Sequence, residues 1–170
     1  MDEYVGCTFI KTPKGLLLHQ PRLIKRLREN FEDKINFLLK YNIPLPAGYI
    51  TETPKNEDII LREEEQSEYQ SGVGMCLYLV KLTRPEIGNA TRKLSKQMKT
   101  ANHGHEKNLW RLLKFVADTK EAKLRFEPEK MEGNRVIWKI KGFADSGFAT
   151  DPDTRRSITG YLIYFWESAI

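Results

Sequence analysis

Residues 3–11 (Glu-Tyr-Val-Gly-Cys-Thr-Phe-Ile-Lys) mix polar with β-branched and aromatic side chains and predict a strand. Pro13-Lys14-Gly15 then supplies turn chemistry, because proline presets φ and glycine admits a positive one. Leu16 to His19 pairs back as a second strand. The period changes after Gln20-Pro21, where proline suits a first helical turn. Leu23, Ile24, Leu27 and Phe31 recur at helical spacing, while Arg22, Lys25, Arg26 and Arg28 occupy the outward face. The chain therefore opens as a β-hairpin followed by a basic amphipathic helix.

Periodicity lapses over residues 42–62, where Pro44, Pro46, Gly48 and Pro54 stand in a polar, acidic setting that reads as a linker or long loop. A helix is predicted from Gln66 to Lys81. Gly72 and Gly74 interrupt it, and since glycine weakens a helix they point to close packing against a neighbouring backbone. Thr83-Arg84-Pro85-Glu86 has the spacing of a capping box and predicts a helix over 84–99, with Ile87, Ala90, Leu94 and Met98 on one face. Thr100 to Gly104 breaks that pattern. A further helix from His105 to Asp118 would bury Leu109, Leu112, Leu113 and Val116. Strand character returns at 121–127, 135–144 and Ser157 to Phe165. The fold class predicted is α+β: an N-terminal hairpin with a helix, a central bundle of helices, and C-terminal antiparallel strands. Its segments are 1–41, 42–65, 66–120 and 121–170.

Composition narrows the class. The 170 residues are 40% hydrophobic and 30% charged, enough for a packed core. The longest mostly apolar run, Val73 to Val80, falls far short of the roughly 20 residues that span a bilayer. The N-terminus opens with Asp2 and Glu3 rather than a basic, then apolar, leader, so no signal peptide is predicted. Only Cys7 and Cys76 are present, which provides neither a disulfide framework nor a zinc quartet. The expectation is an intracellular chain, cytoplasmic or nuclear, with no membrane partner.

The formal charge of +5 is unevenly distributed. Residues 11–40 carry 8 basic and 3 acidic side chains (+5), residues 51–68 carry 2 and 7 (−5), and residues 81–125 carry 12 and 4 (+8). Such clustering is the footprint of a phosphate-backbone partner, although Lys-rich helices also serve solubility. On a helical wheel, Arg92, Lys96 and Lys99 fall within about 60° of one another, opposite Ala90, Leu94 and Met98. Lys107, Arg111 and Lys114 repeat the arrangement on the next helix, flanked by Trp110 and Phe115. Two such ridges suit a nucleic-acid backbone and would position a duplex without reading its sequence. They equally describe two ordinary amphipathic helices with solvated faces.

Other chemistry is sparse. His103-Gly104-His105 has no nearby Cys or second cluster and reads as a helix entry or surface pair. His19 stands at a strand end without a partner in the sequence pattern. Cys7 and Cys76 lie in apolar patterns and are expected to be buried. No phosphate-binding glycine loop and no nucleophile elbow occurs.

Three stretches carry a family resemblance. Tyr69 to Ile87 (YQSGVGMCLYLVKLTRPEI), Trp110 to Lys120 (WRLLKFVADTK) and Gly142 to Tyr161 (GFADSGFATDPDTRRSITGY) occur in the order found in copia-type retrotransposon polyproteins. The first resembles the segment after the polymerase palm, with Thr83 to Ile87 as its marker. The second resembles the following helix, and the third the start of RNase H. Val5-Gly6 and Leu18 to Pro21 are similar to the palm end and the helix after it. The resemblance implies a palm end over 1–41, an acidic linker over 42–65, a helical thumb or connection region over 66–120, and the start of an RNase H-like sheet over 121–170.

The same resemblance implies copying of RNA into DNA and removal of RNA from the hybrid. The family's polymerase needs a Tyr-x-Asp-Asp turn, yet no Asp-Asp pair occurs in these residues, and that turn is expected upstream of Met1. Its RNase H uses carboxylates around two Mg2+ ions. Asp145 matches the first of them, and the other acids are expected beyond Ile170. Gly147 replaces a second Asp and Thr150 replaces a Gly of the family pattern, while Asp151 and Asp153 beside Pro152 suit a turn. The expected function is hybrid or duplex binding, weak and salt-dependent, through Arg92, Lys96, Lys99, Lys107, Arg111 and Lys114. Neither catalysis nor a cofactor is expected of this chain alone, and the remainder of a polyprotein is an expected partner. The alternative is a non-enzymatic helical module that docks a protein through the edge after Phe165 or the helix near Gly72.

Overall fold

The computed structural model describes residues 2–51, 59–126, 139–149, 155–165 and 168–169. These form two compact units, one of residues 1–19 with 123–170 and one of residues 20–122. The predicted α+β class holds. The units group the chain differently from its sequence segments, because the N-terminal hairpin and the helix after it fall into separate units.

The first unit is built of strands. In place of one strand over 3–11, the chain forms β1 (Asp2–Tyr4) and β2 (Cys7–Thr12), with Tyr4 opposite Cys7. The two residues between them, Val5 and Gly6, both have positive φ (50° and 70°), the geometry of a tight hairpin turn. β-Branched Val5 pays a steric penalty there, so strand propensity over 3–11 concealed the turn. Pro13-Lys14 closes the predicted turn, and Gly15 at φ 151° begins β3 (Gly15–His19). β4 (Leu124–Phe126) pairs with β3, setting Leu18 opposite Leu124. The sheet order β1-β2-β3-β4 thus joins the N-terminal strands to residues 124–126, across the whole helical unit in sequence. The 121–127 strand belongs with the N-terminal hairpin rather than with the strands that follow it.

A separate antiparallel sheet contains β5 (Ile140–Gly147), β6 (Ile158–Phe165) and β7 (Ser168–Ala169) in that order. The residue pairs run from Ile140–Phe165 to Gly147–Ile158. Phe143 and Tyr164 meet edge to face across the strands at 5.9 Å. Ile140, Phe143 and Tyr161 stay exposed. β7 pairs with Tyr164 and Phe165, which occupies the strand end where the sequence suggested a docking edge.

The second unit is helical: α1 (Pro21–Asn30), α2 (Glu32–Ile35), α3 (Glu63–Leu82), α4 (Gly88–Ser95) and α5 (His103–Asp118). Its core combines Ile24, Leu27 and Phe31 with Tyr69, Val73, Cys76 and Leu79 of α3 and Leu109, Leu112, Leu113 and Val116 of α5. Ile87, Ala90 and Leu94 complete it. Tyr69 is fully buried and donates its hydroxyl to the Leu94 carbonyl at 2.8 Å; burial pushes its phenol well above the ordinary range. The two glycines of α3 differ. A Cβ on Gly72 would lie 3.0 Å from Leu109 Cδ2 and 3.4 Å from Phe31 Cζ, whereas one on Gly74 would meet nothing within 4 Å. Gly72 therefore admits neighbouring side chains rather than a backbone.

α3 begins three residues before the predicted start. Glu63, Glu64 and Glu65, assigned to the linker by their charge, form its first turn, where carboxylates favour the helix dipole. Glu65 accepts the Arg62 backbone N–H at 3.0 Å and the Arg62 guanidinium at 2.7 Å. Of the two readings of the Pro-containing segment, linker or long loop, residues 42–51 form a long loop without helix or strand, and it is packed. Leu45 and Thr51 are buried, Tyr49 packs against the core, and the Thr51 hydroxyl donates to the Lys93 carbonyl at 3.1 Å. Proline and glycine set the backbone of this segment without making it loose. Glu52 to Asp58, with Pro54, lie outside the described residues.

Candidate nucleic-acid interface

The predicted capping box at Thr83 does not form. Pro85 takes the first position of a short 3-10 turn (Pro85–Ile87), so Arg84 is its cap and the Thr-to-Glu spacing is out of register. Thr83 instead ends α3 and donates its hydroxyl to Gln20 Oε1 at 2.7 Å, both side chains being buried. Arg84, only 1% exposed, reaches the Glu86 carboxylate, Thr119 Oγ1 (2.7 Å) and the Thr119 carbonyl (3.3 Å). Thr83 and Arg84 are thus a buried polar clamp joining the start of α1, the end of α3 and the end of α5.

The 3-10 turn also divides the predicted 84–99 helix. α4 ends at Ser95, so Arg92 lies on it while Lys96 and Lys99 follow it in turns. The first ridge is not a helical stripe. Lys96 and Lys99 are nonetheless exposed; half-buried Arg92 reaches Asn89 Oδ1 at 3.2 Å. Lys93, outside the predicted ridge, donates to the Tyr49 carbonyl.

The second ridge lies on α5 as predicted, but its three cations differ in surroundings. Lys107 is exposed. Arg111 stacks over the Tyr41 ring, 4.2 Å from its centroid, and donates to the Ile43 carbonyl at 3.5 Å. Lys114 pairs with Asp118 four residues on, at 2.7 Å, with side chains only 17% and 19% exposed. Trp110 and Phe115 pack against the core, and Trp110 lies 5.4 Å from the Phe31 ring. They are structural aromatics and not free stacking platforms. The signal for this was in the sequence: Trp110 lies one helical turn before Leu113 and Val116 follows Phe115, so both flank the apolar stripe.

The α5 N-terminus explains the two histidines. Asn102 caps it, accepting from the His105 N–H at 3.0 Å, while the Asn102 N–H donates to His105 Nδ1 at 3.2 Å. Exposed His103 meets Glu106 at 3.0 Å. The helix therefore starts at His103, two residues before the predicted start. Cys76 is completely buried, and loss of solvation pushes its thiol up to about 12; burial raises that of Cys7 as well.

Asp145 lies in β5 opposite Gly160 and is exposed. Among the described residues no three His, Cys, Asp or Glu side chains come together as metal ligands. Asp145 alone does not fit a pair of Mg2+ ions, and no catalytic step follows from it. Thr150, Asp151 and Asp153 lie outside the described residues. No described helix is long and apolar enough to cross a membrane.

No protein-family model matches the chain, and no solved structure does. It is 29% identical, over 94% of its length, to a retrovirus-related Pol polyprotein from transposon TNT 1-94 of Nicotiana tabacum, and covers 12% of that protein. It is 26% identical over its whole length to the Pol polyprotein from transposon RE2 of Arabidopsis thaliana, covering 11% of it. An uncharacterized mitochondrial protein of Arabidopsis thaliana is 30% identical over 92 residues, 53% of this chain and 77% of that protein. The chain therefore spans about a tenth of the polyproteins it matches and most of the shorter relative. It belongs to one family with that mitochondrial protein and is a relative of the retrovirus-related Pol polyproteins of transposons.

Proposed function

We propose that the helical unit is a template–primer-binding region of a copia-type reverse transcriptase polyprotein, holding an RNA–DNA hybrid or duplex by its backbone. The sheet of β5, β6 and β7 would then belong to the beginning of its RNase H portion, while β4 goes with the N-terminal strands. The observation that carries this reading is the exposure of Lys96, Lys99 and Lys107 between the end of α4 and the second turn of α5. Residues 96–107 hold three basic and one acidic side chain, a net of 3 − 1 = +2. The acid, Glu106, is engaged by His103. Such a surface binds phosphates without reading bases and catalyses nothing by itself.

The test is hybrid binding against salt. Affinity should fall steeply as salt rises, and Lys107→Ala should lower the slope by about one contact, roughly 0.9 in log–log units. Lys114→Ala should change it less, because Lys114 already faces Asp118. Undetectable binding at low salt would end this reading. A stand-alone module that docks a protein is the second reading, favoured by a relative of which this chain covers 77%. Binding to a protein partner that leaves hybrid affinity absent would select it.

A further inference from the structure

The segment between α4 and α5 carries Lys99 outside any helix, yet its backbone is held by residues that precede it in the chain. Gln66 and Gln70 of α3 stand one helical turn apart and share a face. Both side-chain amides donate to the Met98 carbonyl, each at 2.7 Å, which occupies both lone pairs of that oxygen. The Gln66 side-chain oxygen also accepts the Ala101 N–H at 3.1 Å. One amide group therefore closes on the backbone at residues 98 and 101. Lys99 and Thr100, between those points, are exposed, whereas Ala101 is completely buried. The Ala101 carbonyl in turn accepts the Leu61 N–H at 2.9 Å, and Asn102 pairs with Ile60. A lysine on a loose turn gives up part of its attraction for an anion to ordering the backbone beneath it; a turn already held by such bonds does not.

We infer that Gln66, reinforced by Gln70, is a positioning residue for Lys99 and presents its ammonium to a phosphate; that the phosphate is one of a nucleic-acid backbone rests on the function proposed above. The glutamines touch no ligand in this role and act through the backbone of residues 98–101. A competing explanation is that they only fasten the connection between α4 and α5 to α3.

A double-mutant cycle on the full chain separates the two. Affinity for an RNA–DNA hybrid is measured against salt in the unaltered protein, in Gln66→Met, in Lys99→Ala and in the combined variant. Inorganic polyphosphate, which has neither base nor sugar, is the second probe. Methionine keeps an unbranched, helix-favouring side chain and removes both the donor and the acceptor. Lys99→Ala should reduce the salt slope of hybrid binding by roughly 0.9, and Gln66→Met should reproduce most of that loss. The combined variant should lose no more than Lys99→Ala alone, because a residue that acts through Lys99 then has nothing left to position. Exchange of the Ala101 amide should quicken in Gln66→Met as the turn is released. Losses that simply add, an Ala101 amide that exchanges as before, or a quickened amide with an unchanged slope would each overturn the inference, and hybrid binding itself would stand. If Gln66→Met unfolds, Gln70→Met at its exposed site carries the same cycle, judged by its slopes. Binding of neither probe overturns the positioning role and the nucleic-acid reading together. The full pattern with polyphosphate, without hybrid binding, keeps the first and overturns only the second.

Discussion

Replacing Glu86 by alanine removes the carboxylate facing the Arg84 guanidinium, a cation only 1% exposed. Removing one partner of a buried ion pair costs about 3–5 kcal/mol, because the other charge remains out of water. Here the carboxylate is 48% exposed and Thr119 keeps two acceptors on the guanidinium, which moves the figure down to about 2–3 kcal/mol. Arg84→Met behaves differently. It deletes the buried charge itself, keeps an unbranched apolar stem, and gives up hydrogen bonds worth about 1–2 kcal/mol. Glu86→Ala should therefore destabilise the helical unit more than Arg84→Met. Thermal unfolding followed by helical circular dichroism should show a fall of roughly 5–10 °C for the first and under 5 °C for the second. If Arg84→Met has the larger fall, packing of the arginine stem rather than charge balance holds the clamp, and the argument from the stranded cation is refuted.

Gly74→Ala should stabilise the protein by about 0.5–1 kcal/mol, since the site is open and alanine favours helix, whereas Gly72→Ala should fail to gain that amount because its Cβ meets Leu109 at 3.0 Å; paired urea titrations check both. The Arg62 guanidinium and backbone N–H hold the Glu65 carboxyl near pKa 2, below its ordinary value of 4.5. Its contribution is then fully present above pH 4.5 and is lost as pH falls toward 2, so Glu65→Gln should flatten the acid side of the stability curve and leave its shape above pH 6 unchanged. Limited proteolysis should cut first within residues 140–165, where Ile140, Phe143 and Tyr161 are exposed and bury little apolar surface. An earlier cut in α3 or α5 would contradict that ranking. A thiol reagent should label neither Cys7 (3% exposed) nor Cys76 (0%) until the chain unfolds; rapid labelling of the native protein would contradict their burial.

Local order was legible in the residues themselves. Leu109, Leu112, Leu113 and Val116 announced the buried face of α5 by spacing alone, and the Pro13-Lys14 turn followed from its own chemistry. The same rules misplaced the start of α3, because an acidic run looks alike in a solvated linker and in a first helical turn. They also drew both basic ridges as equivalent. A helical wheel records direction but not neighbours, so it cannot show that Tyr41 lies under Arg111 or that Lys114 spends its charge on Asp118.

By itself, then, the sequence determined the mixed class, the helical cores and the concentration of positive charge, since these depend on composition and short-range periodicity. Only the tertiary structure decided that Leu124–Phe126 pairs with the N-terminal hairpin, that the Pro-containing stretch around Leu45 and Thr51 is packed, and that Thr83 bonds Gln20 while Arg84 bonds Thr119. Each of these joins residues far apart in the chain. Strand pairing, burial of a loop and hydrogen bonding between buried side chains depend on which distant surfaces meet, and no local pattern carries that information.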